Sequence, residues 1–216
     1  MCTRVSVFFC LISFLLGASS EHPAKKQLKV FTEYLKGFRG VEEGKKKISK
    51  KEIEKNRVNS RKAIAIIDIQ TISKRALGAG RWKKMGKAKQ KGFLDTLKRL
   101  VVLNSFPRSG RFLNKVKYKF SSSKVVKGVS TIRQTVSIEG DEENPEETEM
   151  LIDYSFEKLG KTWKMTNVAF DEVSLVDTYS NQFANIINKK GYAGLFDLMN
   201  KKRKDLEEEY GTNFPE

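Results

Sequence analysis

Residues 150–170 read MLIDYSFEKLGKTWKMTNVAF, and the period of their apolar side chains is two. Met150, Ile152, Tyr154 and Phe156 alternate with Asp153, Ser155 and Glu157, the pattern of a strand with one face in a core and the other in water. Leu159, Gly160 and Lys161 form a tight connection into a second strand that carries Trp163, Met165, Val168 and Phe170. Upstream, a polar turn at 140–147 (GDEENPEE) separates this pair from a long run at 124–138. That run puts Ile132, Val136 and Ile138 on one face and Lys127, Thr131, Arg133 and Thr135 on the other, with Gly128 as a bend. Before it, Val116, Tyr118 and Phe120 alternate with Lys115, Lys117 and Lys119. Consecutive strands joined by short connections predict an antiparallel meander of about four strands.

Outside this stretch the period returns to helical. Leu28, Phe31, Leu35 and Phe38 are spaced as one face of an amphipathic helix ended by Gly37 and Gly40. The charged stretch 44–51 (GKKKISKK) is a linker or the solvated start of the next helix. Ile69, Ile72, Ala76 and Leu77 form a helical face behind Asp68 as N-cap, with Gly78 as its stop. A further helix carries Phe93, Leu94, Leu97, Leu100 and Val101 between Lys87 and Val102. After the strands, Val176, Tyr179, Phe183, Ile186 and Ile187 share a face, Gly191 interrupts, and Tyr192, Leu195, Phe196 and Met199 form a second stripe. Helices, then an antiparallel sheet, then helices predict an α+β fold whose helices cover one face of a curved sheet.

The chain has 216 residues, 42 of them Lys or Arg against 26 Asp or Glu, for a formal net charge of +16. With 39% apolar and 10% aromatic residues, one globular domain is expected and disorder is not. Arg4, the apolar run Val5 to Leu16 and the small residues Gly17 to Ser20 read as a signal peptide at 1–20, cut after Ser20 or, as second choice, after Ala18. As a helix the apolar run extends only about 18 Å, short of the roughly 30 Å of a bilayer's hydrocarbon, so no permanent anchor is expected.

Both cysteines, Cys2 and Cys10, fall inside the signal. The exported domain at 21–216 therefore has no thiol for a nucleophile, disulfide, zinc ribbon or iron–sulfur cluster. The one histidine, His22, lies in an expected mobile tail, which leaves a serine nucleophile without a base. Gly78 and Gly80 lack the preceding strand and the Lys-Ser/Thr of a nucleotide loop. The acids at 141, 142, 143, 146 and 147 lack the spacing and central Gly of a calcium loop. No metal, no cofactor and no catalytic residue is expected. Lysines at 45–51, 83–91 and 201–204 suit nucleic-acid phosphates, yet the aromatics Tyr118, Phe120, Tyr154 and Trp163 sit in the core phase of strands. The same charge serves an anionic membrane surface or an acidic protein.

Residues 173–183 (VSLVDTYSNQF), followed by Ile186, Ile187, Gly191, Tyr192, Gly194 and Leu195, resemble the carboxyl-terminal signature of the MlaC family, periplasmic phospholipid carriers also called toluene-tolerance proteins. Residues 68–102 resemble that family's Asp, Leu-Gly, Trp and Phe-rich helical section, and Tyr154 and Trp163 its Tyr and Trp-Lys strands. The resemblance covers roughly residues 66–202. Glu172 stands where the family usually has Gly, which implies that any special backbone angle at that corner is absent here. Ser180 stands where it usually has Arg, which puts that cation's role in doubt.

The resemblance implies a cup like that of the NTF2-like folds with added helices, and an apolar cavity between sheet and helices. Its cargo is phospholipid, carried without catalysis between an outer-membrane lipoprotein complex and an inner-membrane ABC transporter, by a monomer that binds no nucleic acid. Residues expected to face the lipid are Leu97 and Val101 on a helix, Tyr118, Phe120, Ile132, Tyr154, Val168 and Phe170 on strands, and Phe183 and Ile187 on the terminal helix. Lys83, Lys84 and Lys87 beside Trp82 are the expected partner-docking cluster. Two other classes compete: an enzyme on the same cup using Asp153 or Asp171 as acid or base, and an exported basic nucleic-acid binder. The signal reading has a direct check, since amino-terminal sequencing of the exported protein is expected to begin at Glu21, and an intact Met1 there contradicts it.

Overall fold

The computed structural model describes residues 21–39, 48–139 and 148–216. The signal at 1–20, Gly40, the first half of the 44–51 stretch and the acidic turn at 140–147 lie outside them. Strands β1 (Lys117–Phe120), β2 (Lys124–Val126), β3 (Val129–Ile138), β4 (Thr148–Leu159), β5 (Thr162–Phe170) and β6 (Val173–Ser174) form one sheet. β1 and β2 lie end to end along one edge of β3, and β3, β4, β5 and β6 follow in order, every pairing antiparallel. The meander is as the sequence predicts, with one correction at Gly128. Lys127 (φ 49°) and Gly128 (φ 80°) make a two-residue reversal between β2 and β3, rather than a bend in one strand. Two successive positive φ values match the twist of flanking strands, the preferred geometry of such hairpins.

The same geometry recurs between β5 and β6, where Asp171 (φ 44°) and Glu172 (φ 70°) turn the chain and Phe170 pairs with Val173. The left-handed angle at the corner is thus kept although Glu stands there, contrary to the expectation from the loss of Gly. Pairing on both sides dictates the angle, and the side chain bears the steric cost.

The helices are α1 (Pro23–Lys36), α2 (Lys50–Ile66), α3 (Ile69–Leu77), α4 (Ala79–Lys84), α5 (Lys87–Leu100), α6 (Phe106–Leu113) and α7 (Leu175–Tyr210), with a π-helical turn at Val101–Ser105. Asp68 caps α3 as predicted, accepting from the Thr71 amide at 2.9 Å and its hydroxyl at 2.6 Å. α2 opens with a reciprocal Ser49–Glu52 capping box. Within α7, Gly191 has φ 65° and ψ −175° and divides the helix at the predicted place, an angle open to Gly at no steric cost. The periodicity did not mark α2, α4 or α6. α6 packs on α1 so closely that a Cβ on Gly110 would lie 2.4 Å from the Leu35 carbonyl oxygen. Among the described residues no helix is long and apolar enough to cross a membrane.

His22 also differs from expectation, because it is built into the fold rather than lying in a loose tail. Its Nδ1 accepts from the Ala24 amide at 3.2 Å as the N-cap of α1, and its ring meets Trp163 edge-on at 4.8 Å.

Two separate cores result. One joins α1, α2, the π turn and α6 to the inner face of the sheet, through Leu28, Phe31, Phe106, Ile132, Tyr154 and Phe156 among others. The second is helical, with Trp82, Phe93, Leu97, Phe183, Leu195 and Met199. Polar anchors hold their periphery. Asn56 accepts from the Arg39 amide and donates to the carbonyls of Arg39 and Asn213, each at 2.9 Å. Arg99 donates to both carboxylate oxygens of Glu207 at 2.5 and 2.6 Å and to the Phe214 carbonyl at 2.6 Å. Those hydrogen bonds hold the Glu207 carboxyl below the usual range, against the opposing effect of burial.

The corner at Glu172 yields a stability prediction. Glu172→Gly should raise the unfolding free energy by about 0.5–1 kcal/mol, as relief of a left-handed non-Gly residue outweighs the added unfolded-state entropy. Urea denaturation measures it; no gain would mean that the turn is relaxed as it stands.

Candidate functional site

Between the two cores lies a cavity of about 600 Å³. Its floor is the sheet, from Ile152 and Tyr154 on β4 and Met165, Val168 and Phe170 on β5. That set changes phase partway along β5, and the register explains it. Phe156 pairs with Met165 and Ser155 with Asn167, so Thr166 is an extra residue on the β5 side. This β-bulge returns Val168 and Phe170 to the face already occupied by Trp163 and Met165. It resolves which face of β5 turns inward near Trp163.

The walls are helical. α1 gives Phe31 and Leu35, α3 gives Ile69, Ile72 and Ala76, and α5 with the turn after it gives Leu97, Leu100 and Val101. α6 adds Phe106, Phe112 and Leu113, and α7 adds Val176, Tyr179, Phe183, Met199 and Leu206. Tyr154 shows its ring to the space but keeps its hydroxyl occupied, donating to Gln134 Oε1 at 2.8 Å. Burial pushes its phenol far up, so it stays neutral. α7 is fixed to the floor at its start: Asn167 donates to Ser174 Oγ at 3.0 Å and accepts from the Val176 amide at 3.3 Å.

Polar lining side chains are Asn104, Ser105, Arg108 and Ser109 along the turn into α6, Lys202 on α7 and Asn167 on the β5 floor. Phe170 and Tyr179 are exposed at another part of the opening, at 38% and 37%.

Of the residues expected to face a lipid, Leu97, Val101, Tyr154, Val168, Phe170 and Phe183 line the cavity, whereas Tyr118, Phe120, Ile132 and Ile187 do not. Tyr118 and Phe120 sit on the edge strand β1 beside α1, whose Lys36 lies over the Tyr118 ring at 5.5 Å and whose Lys25 donates to the Phe120 carbonyl at 3.3 Å. Ile132 has the inward phase but is fully enclosed in the sheet core. Ile187 lies one turn beyond Phe183 and packs on the helical core instead. Phe31, Leu35, Ile69 and Ile72 were legible as apolar helix faces without being assigned to the cavity, and the α6 residues carried no readable signal.

Lys83, Lys84 and Lys87 are exposed around the α4–α5 junction, away from the cavity lining. Their neighbour Trp82 is buried in the helical core. Neither aspartate offered for acid–base chemistry lines the cavity. Asp153 is held by Arg133 at 2.8 and 2.6 Å, and Asp171 accepts from the Leu151 amide at 2.9 Å in the exposed β5–β6 turn.

Against known proteins, the family model described as MlaC protein matches residues 36–201. No curated protein is significantly similar to the chain. Among solved structures, the phospholipid-binding protein from Ralstonia solanacearum in complex with a phospholipid aligns with a TM-score of 0.65 over 87% of this chain and 99% of its own, at 20% identity. At that identity the likeness speaks for the fold alone. The family match takes in every cavity-lining residue except Phe31, Leu35, Lys202 and Leu206, and on its extent the chain belongs to the MlaC family.

Proposed function

We propose that this protein is a phospholipid carrier whose cargo places its acyl chains in the cavity between the two cores. The observation that carries the reading is the cavity itself: about 600 Å³ with a mostly apolar lining, in which Arg108 and Lys202 are the charged residues and the floor amide of Asn167 is committed to the start of α7. Such a volume lies within the roughly 300–1,000 Å³ of small-molecule sites. Apolar walls around a space forgo dispersion contacts that an apolar guest restores. Each acyl methylene removed from water adds about 0.8 kcal/mol. The phospholipid in the Ralstonia solanacearum protein, which shares this fold, supports the choice of cargo.

Family membership supports the wider setting. The domain at 21–216 acts as a monomer in the periplasm after removal of its signal, exchanging lipid with an outer-membrane lipoprotein complex and an inner-membrane ABC transporter. Binding is noncovalent, with no cofactor, metal or catalytic step. Without Arg4 the domain keeps 41 Lys or Arg against 26 Asp or Glu, and this formal charge of +15 steers the carrier toward acidic surfaces. Lys83, Lys84 and Lys87 form the docking cluster, because a few well-placed residues decide a protein interface whereas diffuse charge attracts every anionic membrane.

Mass spectrometry of the organic extract of purified native protein is expected to find phospholipid. Val168→Trp, which inserts volume into the cavity, should cut retained lipid about tenfold with the fold intact. Ile132→Trp overpacks a closed core and should cost about 1–3 kcal/mol of stability. A lipid-free extract, or full retention in the Val168 variant, rejects this cavity as the lipid site.

Charge reversal at Lys83, Lys84 and Lys87 should slow lipid transfer to the partner complexes while leaving vesicle association nearly unchanged. Equal loss in both assays, or in neither, rejects the docking assignment.

A further inference from the structure

Most of the cavity's polar lining lies along the turn into α6. Of all the lining residues only Arg108 and Lys202 carry charge, both positive. Both are exposed, and among the described residues no carboxylate forms an ion pair with either. Other arginines are engaged: Arg57 holds Glu54, Arg75 holds Glu157, Arg99 holds Glu207 and Arg133 holds Asp153. Asn104, Ser105 and Ser109 line the cavity alongside Arg108, and none of their side chains is committed to a hydrogen bond among the described residues. Separations of three and four residues place these groups together along the turn that runs into α6. Leu100 and Val101 before this group, Phe106 within it and Phe112 and Leu113 after it line the same cavity. The wall therefore sets charged and polar groups directly beside apolar ones, as a lipid's headgroup adjoins its chains.

We propose that Arg108 and Lys202 form an anion-binding rim that holds the phosphate of the cargo's headgroup, with Asn104, Ser105 and Ser109 as hydrogen-bonding neighbours. The proposal rests on the carrier reading and adds to it the residues that select a phosphodiester headgroup over an uncharged one on the same chains. The guanidinium fork of Arg108 matches two phosphate oxygens, and Lys202 supplies a second positive charge from α7. Free phosphate shares this chemistry, and what separates the two ligands is the apolar space beside the rim.

Calorimetry on the full chain tests the rim with three probes: short-chain phosphatidylglycerol, the diacylglycerol with the same chains, and inorganic phosphate. The wild type should bind phosphatidylglycerol about tenfold more tightly than the diacylglycerol, a modest factor because exposed charges are screened. The double variant Arg108→Gln with Lys202→Gln should lose that tenfold for phosphatidylglycerol and leave diacylglycerol binding unchanged. Inorganic phosphate at millimolar concentration should not bind measurably. Both side chains are exposed, so the melting temperature should hold; if the double variant fails to fold, Lys202→Gln alone, with an expected loss of about threefold, decides.

Equal wild-type affinity for the two lipids, or an unchanged affinity for phosphatidylglycerol in the variant, overturns the rim and leaves the carrier reading standing. Phosphate binding by itself that depends on Arg108 overturns it in favour of a free-anion site. Failure to bind either lipid removes the carrier reading and the rim together.

Discussion

The single extra residue in β5 governs much of the rest. With Thr166 bulged, Phe156 pairs with Met165 while Tyr154 pairs with Val168, so apolar residues on both sides of the bulge turn to the same face. A regular strand would alternate strictly and send Val168 and Phe170 to the opposite side. The bulge also increases local twist and bends the sheet, which lifts the far end of β5 toward the helices. The other edge of β5, which β6 covers only at Ala169 and Phe170, is used as well: the Asp68 amide donates to the Met165 carbonyl at 2.8 Å, and Ile67 forms a bridge with that residue. One irregularity therefore turns both halves of β5 into cavity floor, and the opposite edge of the same strand seats the start of α3.

The two cores do not merge, because the elements that would close the gap are committed elsewhere. α1 is drawn along the β1 side by Lys25 and Lys36, and its apolar face fills the sheet core there. The first part of α7 packs toward α3 and α5 through Phe183, and after the break at Gly191 the chain runs on to Leu206 in the sheet core. A helix unbroken at Gly191 would carry its second apolar stripe off in one straight direction. The broken helix instead borders the cavity through both halves, with Phe183 before the break and Met199 after it.

Much of this was readable from spacing alone, and the failures have definite causes. Period-two alternation marked β4 and its inward face, and the N-cap at Asp68 and the break at Gly191 fell where α3 starts and α7 divides. α2 was hard to see because its buried face includes Asn56 and Ser60, which hold backbone and fill close contacts rather than form an apolar stripe. α6 is eight residues long and contains Pro107 and Gly110, both of which read as loop signals although Pro suits a first turn. Within the site, phase tells which face a residue occupies but not what covers that face. Ile132 and Val168 share the inner side of the sheet, yet Ile132 lies in the closed core and Val168 borders the cavity. That difference depends on the path of distant helices. Likewise Phe183 and Ile187 share a stripe, and one helical turn separates cavity from helical core.

A cavity of this size persists only if its walls cannot slide together, and here they are fixed at their ends by polar contacts. α3 is tied to β5 through Asp68. α7 is tied to β5 through Asn167 at its start, and to α5 through Arg99 and Glu207 near its end. α6 is set against α1 at the distance that Gly110 allows. Each such hydrogen bond contributes only about 1 kcal/mol net while intact, but leaving its buried groups without partners costs about 1–3 kcal/mol. Collapse of the cavity would break several anchors at once to recover dispersion contacts that a lipid chain supplies without distorting anything. The polar ends thus decide the spacing, the apolar middle decides what fills it, and the carrier stays open to a guest because closing is the more costly way to cover the same surface.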